Sequence, residues 1–165
     1  VMAAKGVPVV GWDSLRYFWS VRTPQGFADD LSRTIRAYTR QWKRQRVVLI
    51  GYSQGADVLP FAVNRLPAPV KAMVVQTVLL GPGERASFEF KMSNWITRDA
   101  KGTPVTPELA GFTAASATCI YGTEDRDTVC PRVPPDQMTG VPLKGDHHFA
   151  GNYDGLAEQI LQRSR

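Results

Sequence analysis

The chain has 165 residues, of which 43% are hydrophobic and 21% are charged. This composition is typical of one globular domain large enough to bury a hydrophobic core. No apolar run approaches the length of about 20 residues that a membrane-spanning helix needs. The net charge is +5, but no helix-turn-helix or aromatic RNA-binding motif accompanies it, which argues against nucleic acid as a partner.

The first 22 residues predict a helical end, a strand and a loop. Residues 1–6 are typical of a last helical turn that ends at Gly6. Residues 7–10 predict a short strand. Residues 11–22 predict a connection that is unusually rich in aromatic side chains.

The next segment predicts a long amphipathic helix. Thr23 is a typical N-cap, and Pro24 is a typical first helical residue. Apolar residues then recur at steps of three and four, which indicates a helix face that packs on a core. These residues are Phe27, Leu31, Ile35, Tyr38 and Trp42.

The end of this helix is strongly basic, because residues 33–46 carry six cations and no acid. The cations are Arg33, Arg36, Arg40, Lys43, Arg44 and Arg46. One interpretation is a solvated face whose charges suit the negative end of the helix dipole. The other is a surface for an anionic partner such as phospholipid headgroups, with nucleic acid as the weaker choice.

The most informative motif follows this basic run. A mostly β-branched strand at residues 46–50 leads into Gly-Tyr-Ser-Gln-Gly, and a helix is predicted at residues 54–65, with Pro60 expected to kink it. This is the pattern of a nucleophile elbow, a tight strand-to-helix turn that exposes a serine, here Ser53. The backbone N–H of Gln54 would then lie at a helix N-terminus, where it favours the negative charge of an oxyanion.

The remaining segments alternate between strands and helices. Strands are predicted at residues 73–80, 117–121 and 141–144, a hairpin at 87–95, and a closing amphipathic helix at 154–163. This order predicts an α/β fold with a mostly parallel sheet and helices on both faces, in a single domain over the whole chain.

The candidate nucleophile Ser53 has candidate partners later in the chain. A serine hydroxyl needs a base, and the base needs a carboxylate that fixes its tautomer. The base is expected to be His147 or His148, the only histidines, which follow the last predicted strand. The acid is expected after the preceding strand, where Asp125 and Asp127 are candidates. The order Ser, Asp, His is that of a hydrolase triad, gathered at the carboxyl edge of a parallel sheet.

The two cysteines, Cys119 and Cys130, flank the loop with the candidate acids. A disulfide between them would imply an oxidising compartment, and two buried free thiols are the alternative. Neither the cysteines nor the adjacent histidines have metal-ligand spacing. The sequence therefore predicts no metal and no cofactor.

Four stretches of the chain have the pattern of one protein family. The two most specific are VVGWDSLRYFW at residues 9–19 and LIGYSQGADVLP at residues 49–60. The others are CIYG at residues 119–122, followed by Cys130-Pro131, and GDHHF at residues 145–149. Together they resemble the bacterial virulence protein VirJ/AcvB family of the α/β-hydrolase superfamily, over the whole chain.

The resemblance implies roles for the site residues. Ser53 matches the nucleophile of the family. Asp125 matches the usual acid position, with Asp127 as the second choice. His148, directly before a phenylalanine, matches the usual base, with His147 as the second choice.

The resemblance also implies an exported, periplasmic protein with a Cys119–Cys130 disulfide. The implied activity is hydrolysis of the aminoacyl ester on aminoacylated phosphatidylglycerol, in the context of virulence. This anionic phospholipid would be the substrate, and the basic residues 33–46 would be a peripheral membrane contact. A second hypothesis is a non-catalytic binding or chaperone module, accessory to type IV secretion, that uses the aromatic residues 12–19. A peptidase or thioesterase of the same fold is a third.

The chain departs from the family pattern before the elbow, where only one strand–helix unit is predicted. A further unit would place a strand between those predicted at residues 7–10 and 46–50. The loop after that strand would donate the second oxyanion N–H. We therefore expect an N-terminal segment or a neighbouring chain to complete the sheet, and weak activity without it.

Overall fold

The computed structural model describes residues 1–89 and 102–164. The helices are α1 Ser14–Tyr17, α2 Pro24–Gln41, α3 Gln54–Asn64, α4 Ala68–Lys71, α5 Thr106–Leu109 and α6 Tyr153–Arg163. The strands are β1 Val47–Tyr52, β2 Val74–Leu80, β3 Arg85–Ala86, β4 Thr103–Pro104, β5 Ala117–Gly122 and β6 Thr139–Leu143. Single turns of 3-10 helix lie at Ala3–Lys5, Cys130–Arg132 and Phe149–Gly151.

The main sheet has four parallel strands in the order β1-β2-β5-β6. Ile50 of β1 lies opposite Val78 of β2, and Ile120 of β5 lies opposite Val141 of β6. The short strands β3 and β4 pair antiparallel in a separate ribbon. The predicted α/β class with a mostly parallel sheet is therefore confirmed.

Helices cover both faces of the main sheet. Side chains along each strand point alternately to one face and the other, so β1, β2 and β5 each contribute to two hydrophobic clusters. Leu79 of β2 packs in the cluster formed with α2 and α3. Its neighbours Val78 and Leu80 pack on the other face against Leu156 and Ile160 of α6. Within the described residues, no helix has both the length and the apolar composition to cross a bilayer.

The helix α2 begins where its sequence predicts. The Thr23 hydroxyl accepts the N–H of Gly26 at 3.0 Å, and Pro24 is the first helical residue. Most of the predicted apolar face is buried, but Tyr38 is 36% exposed. Its ring packs instead on Trp42 at the end of the helix, with 4.9 Å between ring centroids.

The strand predicted at residues 7–10 is not formed, and Val9 is 54% exposed. In the described part of the chain, β1 pairs with β2 and with no strand on its other side. Two side chains of this edge strand, Ile50 and Tyr52, are 46% and 43% exposed. An extended segment without a neighbouring strand has no partners for its backbone N–H and C=O groups. Residues 7–10 are therefore irregular.

Other differences between prediction and structure are small. The aromatic connection contains the one-turn helix α1, where the side chain of Asp13 accepts the N–H of Arg16 at 3.0 Å. The helix α3 runs through Pro60, and the predicted kink remains a prediction. The hairpin predicted at residues 87–95 lies, beyond residue 89, outside the described residues.

Candidate active site

Ser53 sits in a strained turn between β1 and α3. Its φ is +53° and its ψ is −122°, a backbone conformation that residues other than glycine rarely adopt. Its N–H donates to the carbonyl of Leu80 at the end of β2, at 3.1 Å. The strand and helix on either side therefore hold Ser53 at the carboxyl edge of the sheet, in the geometry of a nucleophile elbow.

The two glycines of the elbow have different roles. A Cβ on Gly51 would lie 2.4 Å from the carbonyl oxygen of Gly55, so β1 and α3 approach too closely there for any side chain. A Cβ on Gly55 would meet no atom of the described residues within 4 Å. The close approach of β1 and α3 therefore requires glycine at position 51, and not at position 55.

This difference gives a matched pair of substitutions. Gly51→Ala is expected to destabilise the protein by more than about 2 kcal/mol, because backbone atoms surround the new methyl group. Gly55→Ala is expected to be neutral or stabilising by up to roughly 1 kcal/mol, because alanine favours the helix. Urea unfolding of the two variants measures both effects, and equal destabilisation would contradict this account.

The structure brings Asp125 together with His147. Oδ2 of Asp125, in the loop after β5, lies 2.8 Å from Nδ1 of His147, in the loop after β6. The Asp125 side chain is only 5% exposed, whereas that of His147 is 34% exposed. Oδ1 of Asp125 accepts the N–H of Asp127. This geometry can orient an imidazole as a base, with Nε2 left for a substrate or nucleophile.

His148, the first choice for the base, is not placed against the acid. Its Nδ1 lies 2.8 Å from the hydroxyl of Tyr52, and its backbone N–H donates to Asp146. The backbone turns sharply after it, because Phe149 and Ala150 both have positive φ. The two adjacent histidines therefore contact different partners. His147, the second choice for the base, contacts Asp125, and His148 contacts Tyr52.

Ser53 and the candidate base both lie near the end of β2. The N–H of Ser53 donates to the carbonyl of Leu80, and a Cβ on the next residue, Gly81, would lie 2.9 Å from the ring of His147. The rings of Tyr52 and His147 are 5.4 Å apart between centroids. No hydrogen bond from the Ser53 hydroxyl is found within the described residues, and such contacts often form only when substrate is bound.

The backbone N–H of Gln54, the candidate oxyanion donor, lies at the start of α3. Gln54 is the first residue of α3, where N–H groups have no acceptor within the helix and the dipole favours negative charge. Its side chain points elsewhere and donates to the carbonyl of Ser87 at 3.3 Å. This N–H therefore lies beside Ser53, where an oxyanion hole would need a donor.

The acid loop is braced by a covalent bond. Cys119 of β5 and Cys130 form a disulfide, so the alternative of two free thiols is wrong. The N–H of Val129 donates to the carbonyl of Pro82, which links this segment to the loop after β2. No group of three or more His, Cys, Asp or Glu side chains in the described part of the chain could hold a metal ion.

Asp57 is a further carboxyl near the candidate site that the sequence did not indicate. This carboxyl, in the first turn of α3, accepts the N–H of Gly83 at 2.6 Å. Burial raises its pKa to about 7, although the hydrogen bond from Gly83 and positive charge at His147 lower it. An acid in a first helical turn normally complements the dipole at the surface, so no local pattern distinguished this one.

The chain has the fold of the α/β hydrolases. A thioesterase domain from the curacin biosynthetic pathway is similar, with a TM-score of 0.50, 15% identity and coverage of 85% of this chain and 73% of that chain. An α/β fold family hydrolase from Bacillus anthracis str. Sterne has a TM-score of 0.53, 9% identity and coverage of 87% and 77%. At these identities the likeness shows the fold alone.

The family follows from the sequence. A profile of the bacterial virulence protein (VirJ) family matches residues 1–165, and the chain belongs to that family. The resemblance seen in the elbow and the aromatic run is thereby confirmed. No curated protein matches the chain. The protein is therefore a virulence-family member with a hydrolase fold.

Proposed function

We propose that this protein is a serine hydrolase with Ser53 as nucleophile, His147 as base and Asp125 as orienting acid. The observation that carries the proposal is the 2.8 Å contact between Asp125 and His147, at the same sheet edge as the strained Ser53. Each of the three residues lies after a different parallel strand, so the scaffold holds them independently of the substrate.

In the proposed reaction, Oγ of Ser53 attacks the carbonyl carbon of an ester while its proton passes to Nε2 of His147. Asp125 keeps the proton on Nδ1, which leaves the Nε2 lone pair available. The tetrahedral intermediate then collapses, and His147 gives the proton to the departing alcohol. Water cleaves the acyl-enzyme by the same transfers, which returns the Ser53 hydroxyl.

The Gln54 N–H would stabilise the oxyanion, and a second donor is needed for full activity. We propose that it comes from a segment outside the described residues that also pairs with the free side of β1. An N-terminal segment or a neighbouring chain would serve. The exposed Ile50 and Tyr52 on that strand support the proposal. Loss of one donor typically costs about 2.7–4 kcal/mol of transition-state stabilisation.

The substrate we propose is the aminoacyl ester of an aminoacylated anionic phospholipid such as aminoacyl-phosphatidylglycerol. The family resemblance supports this choice, and the virulence family agrees with a role at the bacterial envelope. We further propose a periplasmic location, with which the Cys119–Cys130 disulfide is compatible.

The basic run supports a lipid substrate because it forms an exposed surface at the end of α2. Arg36 and Arg40 are exposed one turn apart on the helix, and Arg44 and Arg46 are exposed beyond its end. Cations near an anionic leaflet each contribute about 1 kcal/mol of attraction. The ring pair of Tyr38 and Trp42 lies at the same end, and such rings favour the headgroup level of a bilayer.

Replacing Arg36 and Arg40 together with alanine is expected to weaken binding to vesicles about tenfold or more. The vesicles would contain phosphatidylcholine with about one third phosphatidylglycerol, and co-sedimentation measures the bound fraction. Lys71→Ala with Arg163→Ala, which removes two cations elsewhere, should leave binding nearly unchanged. Equal losses in the two double variants, or unchanged binding in both, would contradict a specific membrane face.

A fluorophosphonate probe tests the proposed function directly. We expect one covalent adduct, on the peptide that contains Ser53, when the full-length protein is treated and digested for mass spectrometry. Hydrolysis of aminoacyl-phosphatidylglycerol in vesicles, measured by release of the free amino acid, then tests the substrate. An adduct on another serine, or ester hydrolysis without any adduct, would overturn the proposed mechanism.

A further inference from the structure

The side chain of Asp57 lies beside the candidate active site, but the proposed triad does not use it. Asp57 is in the first turn of α3, directly after the elbow that carries Ser53. Its Oδ1 accepts the backbone N–H of Gly83, in the loop after β2, at 2.6 Å. This bond ties the elbow helix to the end of the neighbouring strand.

The same loop after β2 also contacts the candidate base. Gly81 begins it with a φ of +58°, and a Cβ there would lie 2.9 Å from Cε1 and Nδ1 of the His147 ring. The carbonyl of Pro82 accepts the N–H of Val129, from the disulfide-bonded segment. The loop is thus held from two sides, and its first residue supports one side of the imidazole.

We propose that Asp57 is a positioning residue, whose carboxyl holds the loop after β2 so that Gly81 keeps the His147 ring in place. The inference rests on the proposed function, since it concerns the placement of the base in that reaction. Asp57 acts through the loop and through its charge, without contact to the reacting atoms.

The charge of Asp57 changes near neutral pH. Burial raises its pKa from 3.8 to about 7, and positive charge at His147 acts in the opposite direction. His147 and Asp125, from the loops after β6 and β5, lie next to Gly81, and Glu84 directly follows Gly83 in the chain. Glu84 is exposed and paired with Arg132, so it is a suitable control.

The raised pKa has a definite consequence for stability. Between about pH 4 and pH 7 the folded protein holds a proton on Asp57 that the unfolded chain has released, so stability falls as the pH rises. An asparagine does not titrate, yet its Oδ1 can still accept the N–H of Gly83. We expect the Tm of the wild type to fall relative to that of Asp57→Asn by about 5 °C or more between pH 5 and pH 8.

Steady-state hydrolysis of p-nitrophenyl acetate by the full-length protein tests the positioning role. Asp57→Ala is expected to lower kcat about tenfold or more with KM within about twofold, because the loop loses its anchor. Asp57→Asn should recover most of this loss at pH 6. The wild-type to Asp57→Asn ratio of kcat/KM should then rise about threefold or more from pH 6 to pH 8.5, because only the wild type gains a carboxylate that attracts the charged His147.

The outcomes separate this inference from the proposed function. Glu84→Gln, a carboxylate change next to the same loop, should match the wild type at every pH. A flat ratio for Asp57→Asn across the pH range would overturn the inference, even where Asp57→Ala does not fold. So would a kcat for folded Asp57→Ala equal to that of the wild type. Activity that persists in Ser53→Ala would instead overturn the proposed function.

Discussion

Ser53→Ala is expected to lower kcat/KM for ester hydrolysis by roughly 10³-fold or more, because no other group in the proposed mechanism can form the acyl-enzyme. The substitution keeps a Cβ at the strained φ of +53°, so the fold is expected to survive. The measurement is hydrolysis of an aminoacyl-phosphatidylglycerol vesicle and of a small ester by the full-length protein. Circular dichroism confirms that the variant is folded.

Ser20→Ala is the matched control for Ser53→Ala, and virulence of the bacterium is a second measurement. Ser20→Ala changes an exposed serine away from the elbow and should retain full activity. Unchanged hydrolysis by Ser53→Ala would contradict the serine mechanism. If hydrolysis is lost but virulence is fully retained, the protein acts in virulence as the non-catalytic accessory module considered above, and the enzymatic proposal does not explain its role.

Features that depend on sequence neighbours could be predicted well. The cap at Thr23 and the elbow at Ser53 are both set by residues within one turn, so their patterns are readable in the chain itself. The mostly parallel sheet followed from the alternation of apolar runs and helices. This local information was enough to predict the class of fold and to place the candidate site at the carboxyl edge of the sheet.

Features that depend on distant partners could not be predicted. The segment at residues 7–10 has strand-like residues, but a strand exists only where another strand satisfies its backbone groups. Asp57 looks like an ordinary first-turn acid until the loop after β2 places Gly83 against it. In both cases the deciding contact comes from a part of the fold that no local pattern specifies.

The choice between the two histidines as the partner of Asp125 also depends on the path of the backbone. His147 and His148 have the same chemistry and adjacent positions, so only the path of the backbone distinguishes them. Gly145 with a φ of +115°, followed by Phe149 and Ala150 with positive φ, sets which ring faces Asp125. Family spacing favoured His148, whereas the structure places His147 against Asp125, because the spacing counts residues and does not record the turn.

His147→Ala is therefore expected to lower kcat/KM by roughly 10³-fold or more, close to the effect of removing the nucleophile. His148→Ala removes an exposed contact to the Tyr52 hydroxyl and is expected to lower kcat/KM by less than about tenfold. Tyr52→Phe deletes the other half of that contact and should resemble His148→Ala. Kinetics on the small ester and the rate of fluorophosphonate labelling measure all three variants.

The kinetics of His147→Ala and His148→Ala distinguish the two candidate bases, because the two imidazoles have the same chemistry and differ only in their hydrogen-bond partners. Nδ1 of His147 has a carboxylate that can hold its proton and stabilise the imidazolium, whereas Nδ1 of His148 has a phenol, which carries no charge at neutral pH. A larger loss in His148→Ala than in His147→Ala would assign the base to His148. It would then require the loop after β6 to turn over during catalysis, since Asp125 would have to exchange one imidazole for the other.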